Sequence, residues 1–312
     1  MNPTVAIIGG GSAGLSSLIW CDSLGLDAIL FEASAEPGGQ MLKMYHRITD
    51  YPGLLPRDGR ELTERFIDHI DRLNLRGRCL LNARIEKIQS SSPGFEIRSG
   101  DQAWNVRAVI LAMGAHTRHL EIPGERKFEN KGVSFSATRD HPLFAGKTVA
   151  VIGGGDSAVE NSLILARVCK HVYLIHRSDR FLARPEWLSE ARSNSIITII
   201  PNSRAITIDG DSHPTCIQIE DVTTGSRRSL NVDGVFIRIG MEPNSGPVSE
   251  LVSLDSKGFV KVDANQQTNI EMMYAAGDLC RPVSRSVATA VGHGANAAKH
   301  IATRLGRVGH DP

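Results

Sequence analysis

Two glycine-rich runs, far apart in the chain, are built alike. The first is Gly9-Gly10-Gly11-Ser12-Ala13-Gly14, behind the apolar run Val5-Ala6-Ile7-Ile8. The second is Gly153-Gly154-Gly155-Asp156-Ser157-Ala158, behind Val149-Ala150-Val151-Ile152. A short apolar run suits a buried parallel strand, and an apolar-periodic stretch after the glycines suits a helix. In that order the residues make a phosphate cradle. Gly9 and Gly153 permit the tight turn, and Gly11 and Gly155 let a pyrophosphate approach the backbone. Gly14 and Ala158 let helix and strand pack closely, and the helix N-terminus faces the phosphate charge. Two such cradles in one chain predict two dinucleotides, with electrons passing between them.

The residue expected at each adenosine ribose differs. Counting 23 positions from Gly9 (9 to 32) reaches Glu32, after Ala28-Ile29-Leu30-Phe31. A carboxylate there accepts hydrogen bonds from ribose hydroxyls and repels a 2′-phosphate. The same count from Gly153 (153 to 176) reaches His176, beside Arg177, with Arg180 and Arg184 following. Base in place of acid predicts an unphosphorylated ribose (FAD or NAD) in the first site and a 2′-phosphate (NADP) in the second.

Around these cradles the chain reads as two α/β units. The first begins at Val5 and reaches the apolar strand at residues 108–114, which contains Ala112 and Gly114. Strand-like runs at 196–200, 205–208, 216–219 and 234–239 follow the second cradle. A further run at 259–262 and a small-residue helix over about 286–302 close the chain. Candidate linkers at 115–124 and 241–247 imply an insertion. The expected FAD domain is 1–117 plus 245–312, interrupted by an NAD(P)H domain at 118–244, with a hinge where the chain crosses twice. The fold class is α/β, two Rossmann-like domains with the second inserted in the first.

Bulk properties agree with a soluble enzyme. The chain has 312 residues, 41% of them hydrophobic, and a formal net charge of +1. That size supports two cores, and that charge gives no electrostatic case for nucleic acid or a membrane surface. No run of 18 apolar residues occurs and the first strand begins at once, so neither a membrane span nor a signal peptide is expected. The five cysteines (Cys21, Cys79, Cys169, Cys216, Cys280) form no Cys-x-x-Cys pair and no metal spacing. A reducing cytoplasm and no metal are the expectations.

The motifs together resemble the low-molecular-weight thioredoxin reductases and their disulfide-free relatives, the thioredoxin-reductase-type ferredoxin/flavodoxin–NADP reductases. The likeness covers about residues 4–302. It rests on both cradles and Glu32, Pro37-Gly38-Gly39-Gln40, Asp50-Tyr51-Pro52-Gly53, Ala112-Met113-Gly114, His176-Arg177 and Ala275-Ala276-Gly277-Asp278. The resemblance implies FAD in the first domain, with Gly39 and Gln40 bordering the flavin and Asp278 holding the ribitol. It places Arg285, Ser286 and Val287 near the pyrimidine edge and implies a homodimer. In the disulfide-free relatives an aromatic residue often covers the flavin, which makes Tyr45, beside His46, a candidate.

The departures decide the chemistry. Where thioredoxin reductases carry Cys-x-x-Cys, this chain has Ser136 and Arg139, with the following acid kept as Asp140. Serine and arginine cannot cycle between dithiol and disulfide. Arg139 is then either a cation near the flavin, stabilising anionic reduced flavin or binding an acidic acceptor, or half of a surface ion pair with Asp140. In the second site the family's paired arginines are reduced to Arg177, followed by Ser178, and Leu182 stands at the later position. Arg180 and Arg184 are the candidate replacements, and NADH or a second flavin nucleotide stays open beside NADPH. Cys280 reads either as a thiol activated ahead of the last helix or as a small buried residue, and His293 as a packing residue.

The expected function is an FAD-dependent oxidoreductase that passes electrons between NAD(P)H and an external acceptor: ferredoxin, flavodoxin or a quinone-like molecule. Two alternatives stand beside it. One is a thioredoxin reductase-like disulfide oxidoreductase with non-standard cysteines or a donor other than NADPH. The other is a flavin redox sensor without turnover.

Overall fold

The computed structural model describes residues 3–45 and 47–307; His46 lies outside them. The chain divides into two units, one made of residues up to 116 and from 242 onward, the other Thr117–Met241. The outgoing strand Ala115–Thr117 and the returning strand Met241–Pro243 pair as a two-stranded ribbon.

In the first unit five parallel strands run in the order Met273–Ala275, Ala108–Leu111, Val5–Ile8, Ala28–Phe31, Cys79–Leu80. Register brings Val5 level with both Ala28 and Ala108. The apolar runs are continuous because both faces of the sheet are covered. Side chains alternate along the first strand. Val5 and Ile7 join a core with Leu15 and Leu18 of the helix Ser12–Ser23 and with Ala297 and Ile301 of the closing helix Val287–Arg304. Ala6 and Ile8 join the opposite core with Ile88, Phe95 and Ile97 of an antiparallel meander over residues 87–106. Burying each such side chain contributes roughly 1.5–3 kcal/mol.

The second unit repeats the plan. Its parallel order is Ile197–Ile200, His171–Ile175, Thr148–Ile152, Gly234–Ile237, Val133–Ser134. Val149 and Val151 face the core of the helix Asp156–Ala166, which holds Val159 and Leu163. Ala150 and Ile152 face an antiparallel sheet formed by Ser203–Gly210, Pro214–Asp221 and Arg227–Asn231. The fold is therefore α/β with two Rossmann-like parallel sheets, as expected. The run at 259–262 differs from expectation. It makes only an isolated bridge between Leu254 and Val260, because its neighbours are loops rather than sheet.

Candidate functional site

The first cradle is shaped by contacts that leave no room for side chains. Gly9 has φ of +110°, and a Cβ there would overlap the Ala112 carbonyl. A Cβ on Gly14 would overlap the Gly9 carbonyl, so the helix must open on glycine and pack tightly. Gly11 is different, with nothing within 4 Å of where its Cβ would stand. The helix Ser12–Ser23 begins at Gly11 without a side-chain cap. Helices elsewhere in this unit are capped, by Asp58 on Glu61 N–H and by Ser286 on Thr289 N–H. A bare helix N-terminus beside open space is the arrangement a phosphate uses.

Glu32 crosses over the cradle. Its Oε2 accepts from Gly10 N–H at 2.6 Å and its Oε1 from Ser34 N–H at 2.8 Å. Each oxygen keeps a lone pair for a ribose hydroxyl. Gly38 N–H donates to the Gly10 carbonyl at 2.8 Å, and a Cβ on Gly39 would lie 3.2 Å from Gly11 Cα, so the Gly38-Gly39 turn rests on the cradle. Gln40 donates through Nε2 to the Ala115 carbonyl. Beyond Ala112, Gly114 turns at φ of +63°, and Asn244 closes the end of the strand. Its Nδ2 donates to the Met113 carbonyl at 2.7 Å, and its Oδ1 lies 2.8 Å from His116 Nδ1. Asn244 was not among the residues singled out from the sequence, and its link to His116 spans two distant stretches of chain.

On the other side of the cradle a Cβ on Gly277 would lie 3.1 Å from Ala13 Cβ, which brings Asp278 to the same helix end. Burial pushes the Asp278 carboxyl up, with Arg285 and His293 opposing. Burial likewise pushes the His293 imidazole down, and its Nδ1 accepts from Gly277 N–H at 3.3 Å. A half-buried carboxylate of this kind suits ligand hydroxyls. Ser286 caps the closing helix, and Val287 is buried at its first turn. Tyr45 is exposed.

Two readings stand for Cys280. It ends a short 3-10 turn, Gly277–Cys280, rather than opening a helix. Burial, reinforced by Asp278, pushes its thiol up to about 12. The thiolate required of a nucleophile is thus suppressed. Burial also pushes up Cys21 to about 12 and Cys169 to about 11. Cys280 lines a cavity of about 860 Å³ together with Phe259, Lys261, Arg281 and Arg285. Arg281 and Arg285 stand over the Phe259 ring, 5.9 and 5.1 Å from its centroid, and Arg281 reaches Asp255 at 3.2 Å. Three cations face one carboxylate there.

The second cradle follows the same rules. Gly153 has φ of +146° against the Arg238 carbonyl, Gly155 faces open space, and the helix Asp156–Ala166 again opens without a side-chain cap. Ser157 and Ala158 lie in its first turn, Ala158 buried. The imidazole of His176 lies on Gly154, where a Cβ would overlap the ring, and beside Phe181 at 4.9 Å. Burial pushes the His176 pKa down, against a hydrogen bond to the Arg180 carbonyl. Burial thus favours the neutral imidazole over the charged one. The charge lies next to it instead. Arg177 and Arg180 are exposed, and neither forms an ion pair among the described residues. Arg184 is engaged with Asp156 at 3.4 Å and with the Trp187 ring at 4.6 Å.

In the stretch at 136–140 Ser136 caps the turn Ala137–Asp140, accepting from Arg139 N–H at 3.3 Å. Arg139 holds Asp140 through two 2.6 Å hydrogen bonds, and Ser134 donates to the same carboxylate at 2.6 Å. Burial opposes ionisation of Asp140, but these bonds outweigh it and keep the carboxyl below its usual range. Among the described residues no group of three or more His, Cys, Asp or Glu is placed to hold a metal, and no helix is long and apolar enough to cross a membrane.

Comparison with known proteins gives a consistent set. The family pattern described as pyridine nucleotide-disulphide oxidoreductase matches residues 3–294. A thioredoxin reductase of Mycolicibacterium smegmatis is 38% identical over 292 residues, covering 93% of this chain and 92% of that protein. The Lactococcus lactis thioredoxin reductase structure superposes with a TM-score of 0.82 at 31% identity, over 98% of this chain and 100% of the other. A ferredoxin-flavin thioredoxin reductase from Clostridium acetobutylicum aligns at 28% identity with a TM-score of 0.52, over 97% and 98%.

Proposed function

The chain belongs to the pyridine nucleotide-disulphide oxidoreductase family and is a thioredoxin reductase-like, NAD(P)H-dependent flavoenzyme, and from that premise we propose how it handles electrons. FAD is held in the first unit, at Gly9–Gly14, Glu32, Gly39, Gln40 and Asp278. NADPH is the donor at the second cradle, its 2′-phosphate met by Arg177 and Arg180. FAD, when bound, takes up hydride from a nicotinamide and releases electrons singly or in pairs. The chain's own residues supply the cradles, the ribose carboxylate and the charges around them.

The acceptor is the open half of the reading. The relatives' names favour a disulfide acceptor over ferredoxin or flavodoxin, so the disulfide oxidoreductase alternative is the better supported. The observation that carries our version is the Ser136 cap with the Arg139–Asp140 pair, standing where the family places two thiols. We take the disulfide to be brought by the acceptor. One NADPH, one proton and one disulfide then yield NADP⁺ and two thiols. The basic cavity at Lys261, Arg281 and Arg285 suits an acidic acceptor. A second reading keeps the same protein but takes ferredoxin as donor, in line with the name of the Clostridium relative. The protein works as a cytoplasmic homodimer in either case.

The test is an anaerobic titration of the flavin-loaded protein with NADPH, NADH and reduced ferredoxin, followed by small disulfides, thioredoxin and a one-electron acceptor. The expected result is flavin bleaching by NADPH and turnover with a small acidic disulfide, with little reduction of thioredoxin. Ser136→Cys with Arg139→Cys gains thioredoxin reduction, and neither single variant does, because attack and resolution need two thiols. Efficient thioredoxin reduction by the wild type would overturn the acceptor assignment. Bleaching by ferredoxin alone would replace the donor.

A further inference from the structure

We propose that Arg238, a residue no motif picks out, meets the nicotinamide half of the second dinucleotide and sets a preference for its reduced form; the proposal rests on the donor-site reading above. Strand order carries the first step. In the second unit the fingerprint strand Thr148–Ile152 lies between His171–Ile175 and Gly234–Ile237. His176 and Arg177 follow the neighbour on one side, where the adenosine half belongs. With the pyrophosphate at the helix end by Gly155, the other half of the ligand must run over the opposite neighbour. Arg238 is the first residue beyond that strand, and its carbonyl lies against Gly153 in the cradle itself.

The side chain has one donor satisfied by the backbone and another left over. Its Nη1 donates to the Phe135 carbonyl at 2.5 Å, which ties the guanidinium to the residue just after the adjacent strand Val133–Ser134. Its Nε is buried and has no hydrogen-bond partner among the described residues. No carboxylate pairs with it there, although Glu160 on the fingerprint helix opposes the downward push of burial on its pKa. A buried donor left unused is costly unless an incoming group completes it.

The consequence follows from charge. The oxidised nicotinamide ring carries a positive charge and the dihydronicotinamide ring carries none. A fixed guanidinium beside that ring repels the oxidised form and leaves the reduced form unpenalised. At the separations of neighbouring groups this is worth about tenfold or more in relative affinity. The site thus takes up fresh donor and expels spent donor.

The experiment uses the flavin-loaded protein and measures binding by calorimetry. The probes are NADP⁺, its uncharged 1,4,5,6-tetrahydro analogue, which transfers no hydride, and adenosine 2′,5′-bisphosphate. In the wild type the tetrahydro analogue binds about tenfold more tightly than NADP⁺. Arg238→Gln brings that ratio close to one, Arg238→Lys keeps it, and adenosine 2′,5′-bisphosphate binds all three proteins equally, which also reports that the variants are folded. If the ratio is unchanged in Arg238→Gln while every probe still binds, Arg238 does not act on the nicotinamide and the proposal is wrong. If none of the probes binds the wild type, the donor-site reading itself fails and the proposal falls with it.

Discussion

Cys280 shows how little a residue's neighbours in sequence say of its surroundings. It stands two places after Asp278, yet it ends a 3-10 turn where desolvation, reinforced by Asp278, pushes its thiol up to about 12. A thiol pushed that far up carries very little thiolate near pH 8. We expect Cys280 to resist iodoacetamide at pH 8 in the folded protein, and Cys280→Ser to keep full turnover. Rapid alkylation that abolishes turnover would restore Cys280 as a redox residue. Asp140 makes the opposite case. Its folded pKa is depressed below the unfolded 3.8 by Arg139 and Ser134, against burial. A depressed carboxylate stabilises the fold fully above the unfolded value, and that contribution is lost as pH falls through the folded one. Asp140→Asn should therefore cost about 1–2 kcal/mol at pH 7, the worth of a charge-assisted hydrogen bond in a partly exposed pair. The gap between variant and wild type should close below about pH 4. Urea midpoints across that range are the check, and a pH-independent gap would mean that the ion pair is not its source.

At the scale of elements, the two helices that meet at the first cradle depend on small residues. A Cβ on Gly294 of the closing helix would lie 2.5 Å from the Ala13 carbonyl and 2.9 Å from Ser17 Oγ in the fingerprint helix. The helices cannot part without moving the cradle, because Ala13 belongs to both contacts. Gly294→Val should lower stability by about 1–3 kcal/mol, the usual range for overpacking. It should also weaken retention of FAD, measured as flavin absorbance per protein after dialysis. Retention at the wild-type level with an unchanged melting temperature would show that the helix contact is slack. The fingerprint helices themselves have modest amphipathic patterns, since both lie against a sheet and carry glycine, alanine and serine where contact is closest. Their positions come from the glycines ahead of them rather than from a strong apolar stripe.

At the scale of the whole molecule, two units of the same plan share one chain that crosses between them twice. The ribbon of Ala115–Thr117 and Met241–Pro243 carries both crossings, so outgoing and returning strands are tied together by backbone hydrogen bonds. The proposed homodimer is checked by sedimentation of the flavin-loaded protein across dilution. A single species of about twice 33.8 kDa is expected, and a monomer at micromolar concentration would remove dimerisation from the description.

Much of this was legible in the sequence because it rests on local sterics. Gly9, Gly14 and Gly153 sit where any side chain would strike backbone, so their places in the chain already mark the turns and both cradles. The apolar runs announced parallel strands because those strands are covered on both faces. The charges were not legible to the same degree. Desolvation lowers the His176 pKa and raises that of the Cys280 thiol, and neither surrounding is visible in the local sequence. Arg177 and Arg184 read alike as nearby arginines, yet Arg184 is taken up by Asp156 and Trp187 while Arg177 is not. Arg238 and Asn244 carried no motif at all, since their partners Phe135 and His116 lie on distant stretches of chain. Local backbone geometry is written in residue type and spacing. Desolvation and pairing depend on which distant segments the tertiary structure brings together, and only that structure decided them.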